Sequence, residues 1–153
     1  VPMVILGYEH EHFRQQLADM THSAHINHAF ADGLSASLKC AVAALGPDID
    51  GALILLADMP ALAPIDIRKL SAAFVKSGGE AIVRATDNGK RGNPVILPRA
   101  VFPQIMKLQG DVGAKPIIEG FDGRVIDVEI GRAASVDVDT VEAIRAAGGI
   151  LPD

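Results

Sequence analysis

Tryptophan is absent from this sequence, and tyrosine and cysteine occur once each. A single thiol, Cys40, cannot close an internal disulfide, so cysteine usage gives no sign of an oxidising compartment. In an apolar helical stretch Cys40 reads as a small core hydrophobe rather than a reactive thiol. No apolar run approaches the roughly 18–20 residues that span a bilayer, and no signal peptide is visible. Together these absences predict a cytoplasmic protein with no membrane partner. A basic cluster is missing too. The formal net charge is -5, and phosphate backbones demand clustered Lys and Arg, so nucleic acid is excluded as a bulk partner. A small anionic substrate stays open, because a local site can oppose the overall charge. Internal repeats, low-complexity segments and linkers are not found.

What is present fits one domain. The 153 residues leave room for a sizeable core, since domains commonly run about 100–150 residues. Hydrophobic residues make up 49% and aromatics only 4%. Such a core is built from Ala, Val, Ile and Leu, the usual filling between helices and a parallel sheet. Strand and helix patterns alternate. Residues 1–6 form a strand at once, with no initiator Met and no lead-in, as if the cut fell inside a longer protein. Residues 9–18 carry Phe13 and Leu17 at helical spacing, and residues 23–30 hold a short strand. Leu34, Leu38, Val42 and Leu45 stripe a helix over 33–45. Residues 52–56 are continuously apolar, as expected of a parallel strand covered on both faces. Pro64 opens a helix with Ile67, Leu70 and Phe74 on its core side, ended by Gly78 and Gly79. Residues 81–85 form a strand, 87–94 a turn-rich loop, 95–97 a short apolar piece and 100–108 a helix. Residues 124–130 alternate as an edge strand would, and 141–147 form the last helix. This alternation predicts a layered, Rossmann-like α/β domain of three layers with a mostly parallel sheet. In such sheets ligands bind beyond the carboxyl ends of the strands.

Asp58 stands at that place, one residue beyond the 52–56 run, with Met59 and Pro60 turning the chain away. A carboxylate there suits Mg²⁺, which takes oxygen ligands and bridges one or two carboxylates to substrate phosphates. A turn Asp bonded to nearby backbone would look the same. Asp32, Gly33, Leu34 and Ser35 sit at a helix start, where free N–H groups and the dipole welcome an anion. Capping by Asp32 or Ser35 is the plainer account. Arg91, Gly92, Asn93 and Pro94 suit a phosphate or a heterocycle, or merely a turn. Asp111 could cap a short helix or supply a second metal carboxylate. Asp137 and Asp139 alternate with Val136 and Val138 and so share one face of an extended segment. A cation would relieve their repulsion, as solvent would. His10, His12, His22, His25 and His28 do not focus on one face, which argues for exposed polar positions over zinc.

In order along the chain, these segments resemble the MobA-like nucleotidyltransferases. V-P-M-V-I-L-G-Y-E-H-E looks like that family's second strand and following helix. N-H-A-F-A-D-G-L-S-A-S-L looks like the segment lying along the nucleotide, and L-L-A-D-M-P like the metal-binding strand end. R-G-N-P-V-I-L-P-R-A-V-F and L-Q-G-D-V-G-A-K look like acceptor-side motifs, and V-D-V-D-T-V-E-A-I like the C-terminal aspartate motif. G-L-S-A-S-L with R-G-N-P and G-D-V-G-A resembles the cytidylyl branch more than the guanylyl branch. The resemblance implies transfer of a cytidylyl group from CTP to the phosphate of molybdopterin cofactor, with release of pyrophosphate and with Mg²⁺ as cofactor. It makes Asp58 and Asp139 the metal ligands, with Asp58, Asp111 and Asp139 catalytic. Gly33, Leu34, Ser35 and Asp58 face the nucleotide, and Arg91, Gly92, Asn93, Pro94 and Asp111 face the acceptor.

The family's Gly-rich loop with Arg and Lys, and the strand before it, have no counterpart in this chain. The expectation is therefore a single domain over 1–153 whose parent is an enzyme, inactive as this piece, with an exposed strand edge inviting self-association. Lys115 stands where Arg is more usual, and Val141 and Ala143 replace the Pro and Asp of D-T-P-E-D. Two other readings compete. One is a non-catalytic accessory module that holds cofactor for a molybdoenzyme client. The other is a family member using GTP or another phosphorylated acceptor.

Overall fold

The computed structural model describes residues 1–149; the last residues of the expected 1–153 domain lie outside the described ones. Along the chain run β1 (Met3–Leu6), α1 (His10–Gln16), β2 (Ser23–Ile26), α2 (Leu34–Ala44), β3 (Gly51–Ile54) and α3 (Pro64–Lys76). Then follow β4 (Ile82–Asp87), β5 (Lys90–Pro98), α4 (Phe102–Ile105), α5 (Lys115–Glu119), β6 (Val125–Glu129) and α6 (Val141–Ala146). Short 3₁₀ turns cover Phe30–Asp32, Arg99–Val101 and Gly131–Ala134. The α/β class is as expected. The chain divides into two units, Val1–Ile49 with Ala100–Phe121, and Asp50–Arg99 with the segment from Asp122 onward.

The first unit is built on a βαβ motif. β1 and β2 lie parallel, from Met3 opposite Ser23 to Leu6 opposite Ile26. Parallel neighbours need a crossover, and α1 lies on it. α2 packs on both strands and on α4. Its expected stripe holds at Leu38, which is buried, whereas Leu34 at the head of the helix is 41% exposed. Asn27, buried just beyond β2, ties strand to helix: Oδ1 accepts the Ala29 N–H at 3.0 Å and Nδ2 donates to Ser37 Oγ at 3.1 Å. The helix expected over 100–108 is shorter. It comprises a 3₁₀ turn and α4, after which Lys107 and Leu108 bond three residues back, to Gln104 and Ile105. Pro103 in its first turn is well placed there, but so short a piece has no room for an amphipathic face.

The second unit holds a four-stranded sheet in the order β3-β5-β4-β6. β4 and β6 are parallel, while β5 runs against both β3 and β4, so three of the four strands share one direction. Leu70 of α3, fully buried, packs with Val83, Ala85, Ile96 and Ala134 as the core. Asp66 starts α3 by accepting the Ala63 N–H at 3.1 Å.

Two expectations are corrected here. The apolar run 52–56 is not strand throughout: β3 ends at Ile54, and Leu55 is 52% exposed. Residues 91–94 are not a loop before a strand but part of β5 itself. Asn88 and Gly89, both at positive φ, close a tight hairpin between β4 and β5, as the Asn-Gly pair favours. Thr86 pairs with Arg91 and Arg84 with Val95, so Gly92, Asn93 and Pro94 share the place opposite Ala85. This is a bulge, the position in a sheet where a Pro without N–H is tolerated. The Asn93–Pro94 bond is cis.

Candidate active site

In the first unit, the residues expected to face a nucleotide surround the start of α2. Gly33 has φ 93° and ψ -175°, a region essentially restricted to glycine. A Cβ there would lie 2.6 Å from Asp111 Cα and 2.7 Å from its N. The close approach that requires Gly33 is thus made by the protein's own backbone. The Leu34 N–H donates to Asp111 Oδ1 at 3.0 Å, and the Ser35 N–H to the Gly110 carbonyl at 3.4 Å. Asp111 therefore caps α2, and neither Asp32 nor Ser35 does; nor does Asp111 cap a helix following it. The N–H groups read as free for an anion are engaged.

What the unit offers a ligand instead is a groove of about 710 Å³ along α2, within the range of small-molecule sites. Asn27, Asp32, Ser35, Lys39, Cys40 and Gln109 line it. Sequence reasoning did not single out Asn27, Lys39 or Gln109. For Lys39 the signal is the i, i+3, i+4, i+7 spacing of Asp32, Ser35, Ala36 and Lys39, a helix face unlike the Leu stripe; Asn27 and Gln109 carry no such local signal. Cys40 is half-buried, its Sγ 3.9 Å from the Ile26 carbonyl.

In the second unit, Asp58 lies in the turn after β3. Its Oδ1 is buried and has no hydrogen-bond partner among the described residues. A buried carboxylate oxygen without a donor is costly, on the order of 1–3 kcal/mol or more, and the turn hydrogen bonds offered as the plainer reading of this side chain do not reach that atom. The Asp58 carbonyl accepts the Val138 N–H at 3.0 Å. This bond brings the 136–139 segment to the strand end, with Asp137 and Asp139 exposed on either side of Val138. A divalent cation fits this donor set: one orphaned carboxylate, further carboxylates on the adjoining segment, and oxygen ligands only. Among the described residues no group of three or more His, Cys, Asp or Glu side chains comes together. Mg²⁺-type sites need only one or two carboxylates, the rest being phosphate and water.

Around this strand end the structure is fastened by Gly92, which the sequence marked for the acceptor side, and by residues that it did not mark. Gly92 is needed because Ala134 docks on it: a Cβ would fall 2.0 Å from the Ala134 carbonyl oxygen. Ser135 Oγ donates to Asp87 Oδ2 at 2.6 Å. Glu129 Oε1 accepts the N–H groups of Asn88 at 2.9 Å and Gly131 at 3.0 Å. Its Oε2 accepts Thr86 Oγ1 at 2.9 Å and the Gly89 N–H at 3.2 Å. The backbone bonds from Asn88 and Gly89 do most to hold this carboxyl below its usual pKa. Arg91 is exposed, and Arg84 is bound to Asp127 at 2.8 Å. The described residues thus bring Asp58 together with the 137–139 segment, and Gly33, Leu34 and Ser35 with Asp111.

An α/β chain with a buried, unpartnered carboxylate at a strand end offers one oxygen ligand to a cation. The particular family is shown by sequence: the chain belongs to the MobA-like NTP transferase domain family, whose model matches residues 1–127. Solved structures agree on the fold. A homolog of Rv0371c from a mycobacterium, strain JC1, superposes with a TM-score of 0.76 at 23% identity, covering 95% of this chain and 73% of that one. Rv0371c of Mycobacterium tuberculosis H37Rv, solved in complex with manganese, gives 0.73 at 23%, with 95% and 75% covered. A nucleotidyl transferase from Methanothermobacter gives 0.74 at 20%, with 95% and 71% covered. No curated protein matches the chain. Among the described residues no helix is long and apolar enough to cross a membrane.

Proposed function

We propose that this chain carries the greater part of a Mg²⁺-dependent cytidylyltransferase that moves CMP from CTP to the terminal phosphate of molybdopterin cofactor. One phosphate oxygen of the acceptor attacks the α-phosphorus in line, the bond to the β-phosphate oxygen breaks, and pyrophosphate leaves. Positioning and charge neutralisation supply nearly all the catalysis in such a transfer. Asp58 and Asp139 would hold the cation, which when bound would supply neutralisation of phosphate charge. Gly33, Leu34 and Ser35 shape the nucleotide side, with Ser35 on the groove wall. Asp111 orders that turn, while Arg91, Gly92, Asn93 and Pro94 serve the acceptor side, Arg91 supplying the cationic side chain. The observation that carries this reading is the buried, unpartnered Oδ1 of Asp58. The manganese bound by the Rv0371c structure supports a divalent cation in this fold.

The test is calorimetric titration of the full-length protein with CTP and GTP in Mg²⁺, beside Asp58→Asn. Mg²⁺-dependent binding of CTP in preference to GTP, lost in Asp58→Asn, is expected. Without metal, Asp58→Asn should melt no lower than the parent, because the amide relieves a buried charge that lacks a donor. Preference for GTP would move the assignment to the guanylyl branch. No nucleotide binding at all would replace it with a module that only holds the cofactor.

A further inference from the structure

Between the end of β6 and Asp139 the chain has no strand, and its course is set by discrete bonds. Glu129 stands opposite Thr86 at the last rung of the β4–β6 ladder. Its carboxylate joins the β4–β5 hairpin, through the N–H groups of Asn88 and Gly89, to the first residue of the next turn, through the Gly131 N–H. From there Ala134 presses on Gly92, Ser135 bonds Asp87, and the Val138 N–H reaches the Asp58 carbonyl. Every one of these contacts lies within the second unit. Both oxygens of the exposed Glu129 act only as acceptors, so an uncharged amide cannot reproduce all four bonds: its NH₂ would meet another donor and release a backbone N–H to solvent.

We propose that Glu129 is a positioning residue for the acidic site, the carboxylate that sets the course of residues 131–138 and so holds the Asp139 segment against the Asp58 strand end. The inference rests on the reading that Asp58 and Asp139 hold a divalent cation. Outer partners that orient metal-ligating carboxylates commonly change metal affinity by about 10–100-fold. Glu129 touches neither ligand and acts through the backbone it fastens.

The experiment is direct titration of the full-length protein with MnCl₂, reading free Mn²⁺ by electron paramagnetic resonance, for the parent, Glu129→Gln, Ser135→Ala and Asp58→Asn. Glu129→Gln should weaken Mn²⁺ binding about ten-fold, with its circular dichroism spectrum retained. A purely structural role would lower the melting temperature yet leave the affinity of the folded protein unchanged, and that result overturns the proposal. Should Glu129→Gln fail to fold, Ser135→Ala decides. It removes the exposed hydroxyl that bonds Asp87 and the Arg132 carbonyl from the same segment, and unchanged Mn²⁺ affinity in it is equally fatal. Asp58→Asn separates the two layers. Undiminished Mn²⁺ binding in that variant defeats the metal reading and the positioning role with it, whereas loss in Asp58→Asn without loss in Glu129→Gln defeats the positioning role alone.

Discussion

Two carboxylates in the second unit face opposite circumstances. Glu129 accepts from Asn88, Gly89, Gly131 and Thr86, whereas Asp58 Oδ1 is buried with no donor among the described residues. For Glu129 the donors outweigh desolvation, and its pKa falls below the ordinary 4.5, the Asn88 and Gly89 backbone bonds acting first. The folded state therefore favours the charged form. Stability contributed by Glu129 is present above about pH 4.5 and is lost as pH drops through the lower folded value. Melting temperatures of the parent and Glu129→Gln should differ most near neutral pH and converge as the pH falls through the lowered pKa of Glu129. Among the described residues the other acid bonded to that turn is Asp87, through the Asn88 side chain and Ser135, and it is common to both proteins, so their difference reports Glu129. A gap that stayed constant from neutral to acid pH would show that the charge is irrelevant there. Neither carboxylate's circumstance is visible in the sequence. Thr86 and Glu129 are 43 residues apart, and only the parallel pairing of β4 with β6 makes them neighbours.

At the scale of elements, α2 shows how a local signal can be real and its cause remote. The D-G-L-S segment announces a helix start, and α2 begins at Leu34. Yet its cap is Asp111, 77 residues away in sequence, and Gly33 is required by the backbone that carries Asp111. Asp111→Ala should lose about 1 kcal/mol, the usual worth of a helix cap. Gly33→Ala should lose more, roughly 1–3 kcal/mol for the strained backbone together with displacement of residue 111. Urea unfolding of both variants checks the order, and a Gly33→Ala protein as stable as the parent would refute the geometry. The strand–helix alternation was legible throughout because apolar periodicity is a local property. Every expected helix and strand from β1 to β4 is present, most of them shorter at the ends, while β4 runs on to Asp87. Of the hairpin strand β5 only the apolar piece 95–97 was legible, although Asn88-Gly89 is its turn signal. Arg91, Gly92, Asn93 and Pro94 break the apolar pattern where the strand bulges, and polar residues at a bulge look like a loop. Asp58 could be read as a site because its position after an apolar run is itself a sequence feature. The groove-lining Asn27 and Gln109 and the clamp at Glu129 could not, since each depends on which elements pack together.

For the whole molecule the edges of the two sheets matter most, and they are not alike. β6 ends its sheet with Asp127 and Glu129 on the strand and Arg84 bound across to Asp127, the charged character that discourages further pairing. β3, at the opposite edge, reads Gly-Ala-Leu-Ile, with no charge along it. In the first unit β1 reads Met-Val-Ile-Leu and pairs with β2 alone. Short apolar strands with one open side are templates for a further strand. The net charge of -5 opposes the approach of two copies, but at physiological ionic strength charge is screened beyond about 8 Å while backbone pairing acts at contact. Residues 1–153 are therefore expected to self-associate as concentration rises, more strongly at high salt than at low. Light scattering behind size-exclusion chromatography over a hundred-fold concentration range measures this directly. Ala52→Lys, which places a charge on the β3 edge, should return the mass towards that of one chain. A parent that stays monomeric at every concentration and salt would mean that both edges are already covered, and an Ala52→Lys variant that associates like the parent would shift the interface to β1.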